Sequence, residues 1–100
     1  MAKSLAETLQ ILKNHQPELQ RRGVMHAAIF GSVARGEANV ESDIDLLIEV
    51  DSSRSMGVFA YASLESYINE LLGGSADVVN RKTLKPLLQD AILRDAVHAF

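Results

Sequence analysis

The chain contains no cysteine, which excludes disulfides and thiolate metal sites and gives no support to an oxidising compartment. It also lacks a basic surplus: ten Lys and Arg face thirteen Asp and Glu, a formal net charge of −3. Nucleic-acid binding draws on a cationic surface, so no such partner is expected. The local pairs Arg21-Arg22 and Arg81-Lys82 read as solvated surface. No apolar run approaches the roughly 20 residues of a membrane span, and Lys3 and Glu7 come too early for a signal peptide. The expected setting is therefore cytoplasmic, without membrane association. Neither His15 nor His98 stands at metal-ligand spacing from His26, which reads as a packed or edge residue. Internal repeats, low-complexity tracts and interdomain linkers are missing too. One hundred residues suit a single domain, 1–100, that buries a core without staples.

What is present has an α/β rhythm. Ser4 and Glu7 have capping-box spacing, and Leu5, Leu9 and Leu12 follow at helical intervals, predicting a helix over about residues 4–14. Pro17 suits the first turn of a short second helix stopped by Gly23. Residues 24–30 are short, apolar and bounded by turn residues, the pattern of a buried strand. Gly31-Ser32 ends it, Val33-Ala34-Arg35 can form one helical turn before Gly36, and residues 37–42 read as polar loop. A second strand is expected over 43–50, its hydrophobic face made by Ile44, Leu46, Ile48 and Val50, with a loop over 51–55. Met56, Phe59, Ala60, Leu64, Ile68, Leu71 and Leu72 trace an amphipathic helix stopped by Gly73-Gly74. Residues 76–80 read as a third strand. Leu84, Leu87, Leu88, Ala91 and Ile92 mark a final helix, and the pattern leaves residues 96–100 as either its continuation or an extended tail. The expected order is α-β-β-α-β-α, an α/β (α+β) sandwich with one small sheet flanked by helices.

The chemistry gathers at two junctions. Alternation along a strand puts Asp43 and Asp45 on one face, about 6.6 Å apart at Cα. Carboxylates tipping together from that distance could bridge metal ions about 3.5–4 Å apart, the spacing of two-metal phosphoryl chemistry. All-oxygen ligation favours magnesium or manganese over zinc; the bland alternative is a pair of solvated acids. At Gly31-Ser32 the glycine permits close backbone approach, and the amides opening the helical turn favour an anion, with the Ser32 hydroxyl as a further donor. The lysine of a Walker A loop is absent. Arg35 could reach a phosphate, or pair with Glu37 or the carboxylates. Asp77, alone among the small apolar residues of the third strand, could add a metal ligand or a base for an incoming hydroxyl, or be an edge acid facing water. Together these imply a triphosphate cradled at the turn and bridged by metal to the acids.

Phe30-Gly31-Ser32-Val33-Ala34-Arg35-Gly36 with Ser42-Asp43-Ile44-Asp45-Leu46-Leu47 resembles the signature of the polymerase-beta-like nucleotidyltransferase superfamily. It is most similar to the minimal nucleotidyltransferases (MNT) that serve as antitoxins in HEPN/MNT toxin–antitoxin pairs. The resemblance spans nearly the whole chain, including Ala76-Asp77-Val78-Val79 and Leu84-Lys85-Pro86. It implies that Gly31 and Ser32 form the nucleotide-phosphate turn, that Asp43 and Asp45 are the metal-binding pair, and that Asp77 is the third catalytic acid. It further implies Mg2+ or Mn2+, ATP as donor, and AMP transfer to a tyrosine of a HEPN toxin held in a hetero-oligomer. The sequence offers no additional acceptor domain, which suits a folded protein acceptor. Two other readings are a non-catalytic antitoxin that binds its toxin, and a small-molecule nucleotidyltransferase working with a separate acceptor subunit.

Overall fold

A computed structural model of the chain describes residues 4–37, 43–54, 56–74 and 76–100. Its elements are α1 (Leu5–Asn14), α2 (Gln16–Arg21), β1 (Val24–Phe30), α3 (Gly31–Ala34), β2 (Ile44–Val50), α4 (Val58–Leu71), β3 (Ala76–Asn80), a 3-10 turn (Arg81–Thr83), α5 (Pro86–Asp95) and β4 (Val97–His98). The expected polar loop lies, beyond Glu37, outside the described residues.

Ser4 caps α1 by accepting from the Glu7 amide at 3.1 Å, which satisfies one of the amides a helix start leaves unpaired. The fully buried Thr8 needs a partner for its hydroxyl, and it donates to the Ser4 carbonyl at 2.8 Å. The four strands lie in the order β3-β2-β1-β4. β1 pairs antiparallel with β2 and β4, and β2 pairs parallel with β3. A parallel pair needs a crossover of a dozen or so residues, and α4 supplies it. Because side chains alternate, β2 sends Ile44, Leu46 and Ile48 to one face, where they pack with Leu12, Leu19, Leu64 and Ile68 from α1, α2 and α4 and with Leu72 just beyond α4. Asp45, Leu47 and Glu49 take the other face, and Ala28, Leu47 and Leu93 meet there under α5.

Several expectations shift. α4 begins at Val58, its first turn capped by the extended Gly57, so Met56 precedes the helix and Phe59 is 91% exposed rather than core. The last helix begins at Pro86, not Leu84, because a residue before proline is driven extended; Lys85 has φ −68, ψ 145. It runs to Asp95 with no buried residue, and Leu87 and Leu88 of its apolar stripe are exposed. The chain end resolves as β4, where Val97 and His98 pair with Ile29 and Ala28. The 3-10 turn was not expected; Asn80 caps it by accepting from the Lys82 amide at 3.1 Å.

Candidate active site

Both junctions lie at one end of the sheet. β1 stops at Phe30, and Gly31 turns the chain at φ +75, a conformation L side chains seldom adopt. Phe30 is the register partner of Asp45 on β2, which brings the Asp45 carboxylate over Gly31. An added Cβ at Gly31 would overlap Asp45 Oδ2 and stand 3.1 Å from Cγ. Glycine is thus required twice, for its φ and for the approach of an acid. The turn that follows closes by bonds from the Arg35 amide to Gly31 O (3.1 Å) and from the Glu37 amide to Ser32 O (2.8 Å). Buried Val33 pins it to the core. Its opening amides have no partners within so short a helix; the first is that of Gly31, on which the Asp45 carboxylate rests, and the next is that of half-buried Ser32.

Asp43 lies exposed one residue before β2, and Asp45 is half-buried within it. On β3, Asp77 is the parallel register partner of Asp45, and directly paired residues share a sheet face. Asp77 is exposed on this edge strand. Burial raises the Asp45 pKa above the ordinary value of 3.8, with Asp77 and then Asp43 adding to the rise by like-charge repulsion and Arg35 opposing it. Asp45 thus feels both of the other acids, Asp77 from the paired strand and Asp43 from two residues before it. Among the described residues, no three His, Asp or Glu side chains are drawn together into a finished metal cage. The donor set nevertheless fits a hard divalent cation: the acids are oxygen donors only, and their mutual repulsion is what such a cation would relieve.

Arg35 extends from the end of the turn. Its Nε donates to Glu37 Oε2 and its Nη1 to Asp95 Oδ2, both at 3.1 Å. The Glu37 bond, then the Asp95 bond, raise the guanidinium pKa further. Of the two roles open to Arg35, ion pairing is the one formed here, and Asp95 is a partner that sequence reasoning missed. The pair is 60 residues apart, so no local pattern joins them. One signal was available: an acid in the last turn of a helix opposes the macrodipole, and such a residue needs a cation.

A hollow of about 410 Å³ lies elsewhere, at the opposite ends of β2 and β3, lined by Val50, Arg54, Met56, Tyr61 and Lys82 among others. It contains none of the three acids. Volume alone is a poorer guide than a half-buried carboxylate with a raised pKa, paired across the sheet with a second acid and resting on a glycine turn.

The nucleotidyltransferase domain family matches residues 7–98. Protein adenylyltransferase MntA of Thermococcus cleftensis is 36% identical over 96 residues, covering 95% of this chain and 95% of that protein. A solved chain described as a candidate minimal nucleotidyltransferase superposes with a TM-score of 0.70 at 34% identity, over 89% of this chain and 93% of that one. A chain from the complex of a tri-AMPylated Shewanella oneidensis HEPN toxin with MNT antitoxin superposes at 0.63 and 16% identity, over 92% and 71%, a likeness of fold alone.

Proposed function

The chain belongs to the nucleotidyltransferase domain family, and from that premise we propose that it transfers AMP from ATP to a tyrosine of a HEPN-family toxin, as the antitoxin of the pair. Membership, with its adenylyltransferase relative, makes it a transferase enzyme; donor, acceptor and metal are the proposed part. The observation that carries the reading is the pairing of Asp45 with Asp77 across β2 and β3 while the Asp45 carboxylate rests on Gly31.

In this reading Gly31 and Ser32 receive the polyphosphate through backbone and hydroxyl donors, and Arg35 balances its charge. Asp43, Asp45 and Asp77 would hold Mg2+ or Mn2+, which when bound neutralises charge developing on the phosphoryl and leaving oxygens. The phenolic oxygen of the acceptor forms a bond to Pα as the bond from Pα to the bridging oxygen breaks, releasing pyrophosphate. The phenolic proton passes to a carboxylate of the acid face, where Asp43 and Asp77 are exposed to an approaching protein. The toxin assignment draws on the sequence resemblance and on what the Shewanella oneidensis complex is described as containing.

The test incubates the chain with α-labelled ATP, Mg2+ and a cognate HEPN protein. Label is expected on the partner and is lost with Asp45→Asn; an unlabelled partner with the wild-type chain removes the reading. Exposed Val58, Phe59, Leu87 and Leu88 favour a second reading, neutralisation by contact alone. The same experiment in cells decides it, because an Asp43→Asn/Asp45→Asn chain that protects as fully as wild type needs no transfer.

A further inference from the structure

α5 buries none of its residues, yet its last one reaches into the site. Asp95 ends the helix, where the macrodipole disfavours a carboxylate, and it spends its charge on Arg35 at 3.1 Å. An ion pair between groups 43% and 39% exposed contributes little to stability, so a strut between α3 and α5 is a weak reason for it. Geometry offers a stronger one. Arg35 follows the Gly31-Ser32 turn directly and is bonded back to it through the Gly31 carbonyl. The guanidinium is thus tied to the turn through its backbone and to α5 through its side chain. Only two of its five N–H donors are engaged among the described residues, and the planar fork suits a phosphate on the remainder.

We propose that Asp95 is a positioning residue for nucleotide binding: from the end of α5 it fixes the Arg35 guanidinium in the pose that meets the polyphosphate of a triphosphate. The inference rests on the nucleotidyltransferase reading of the site and adds to it a residue outside the signature. Asp95 touches no substrate; it acts by limiting the rotamers of a long side chain whose ordering binding would otherwise have to drive. Glu37 holds the same guanidinium from beside the turn and is the more exposed of the two partners, 64% against 39%.

The test is calorimetric titration of AMP-PNP with Mg2+ into the full chain and into Asp95→Asn, Asp95→Glu, Arg35→Ala and the Arg35→Ala/Asp95→Asn double variant, with thermal melting alongside. Asp95→Asn is expected to weaken binding about three- to tenfold, and Asp95→Glu to restore most of it. In the Arg35→Ala background Asp95→Asn should add nothing, since both changes remove one device. Unchanged affinity in Asp95→Asn overturns the proposal, as does an equal loss with and without Arg35, even if the melting temperature falls. Failure of the wild-type chain to bind AMP-PNP overturns the nucleotide reading itself, a result distinct from either.

Discussion

At Asp45 two requirements of the site oppose the stability of the fold. Its carboxyl is pushed above the usual carboxylate range by burial first, then by Asp77 and Asp43. A folded-state pKa above the unfolded one means that the native chain binds the proton more readily. The associated stability is present below the ordinary value of 3.8 and is lost as pH rises through the raised folded value. At neutral pH the ionised Asp45 therefore destabilises the chain. Asp45→Asn is expected to melt higher than wild type at pH 7 in EDTA, with the advantage shrinking toward pH 4, while transfer is lost. An advantage that is absent, or larger at pH 4, would show that burial of the charge is not the cause. Of this arrangement, the closeness of Asp43 to Asp45 was legible in the sequence, because it is set by the chain itself; β2 begins at Ile44, so Asp43 stands just outside the strand whose alternation was expected to align the pair. That Asp77 stands opposite Asp45 was not, because it depends on the register of two strands joined by a helix. The residues offered Asp77 as a metal ligand or base on the third strand and the family resemblance as the third acid; neither gave its partner.

Elements were legible where both ends carried their own punctuation. The strands at 24–30 and 76–80 are found as expected, each a short apolar run closed by glycine or polar residues. Helix periodicity succeeded in kind and failed in orientation. Leu64 and Leu87 both belong to apolar stripes, yet Leu64 is 1% exposed beneath the sheet and Leu87 is 87% exposed. A stripe states that a helix has an apolar side; it does not state how much of that side finds a surface to cover. α4 lies along the core, whereas α5 meets the sheet chiefly at its far end, near Leu93 and Asp95. Leu64→Ala should cost about 2–5 kcal/mol as a cavity, and Leu87→Ser should stay within about 0.5 kcal/mol, both measured by urea denaturation. A large loss for Leu87→Ser would place α5 against the core after all. A normal fold with lost toxin neutralisation would make Leu87 part of a partner surface.

For the molecule as a whole, the sheet sets three carboxylates of an already acidic chain, net −3, on one end of one face. Helices α1, α2 and α4 cover the other face, which leaves Asp43 and Asp77 exposed and Asp45 half-buried between them. The fold holds repulsion in reserve there, and any cation that binds the folded chain in preference to the unfolded one must stabilise it by mass action. At ten times its Kd, one such cation adds about 1.4 kcal/mol, which for a chain of this size raises the melting temperature by roughly 5–10 °C. Mg2+ at millimolar concentration is thus expected to raise the wild-type melting temperature by several degrees, reversibly with EDTA. The Asp43→Asn/Asp45→Asn chain should start higher and respond little, because the repulsion and the ligands are removed together. Monovalent salt at matched ionic strength is the control, since screening alone relaxes charges on an exposed face. An equal response to Na+ and Mg2+ would reduce the acid face to ordinary surface charge, whereas a Mg2+ response that disappears with Asp43 and Asp45 locates the cation on the strand that also carries Asp45 over Gly31.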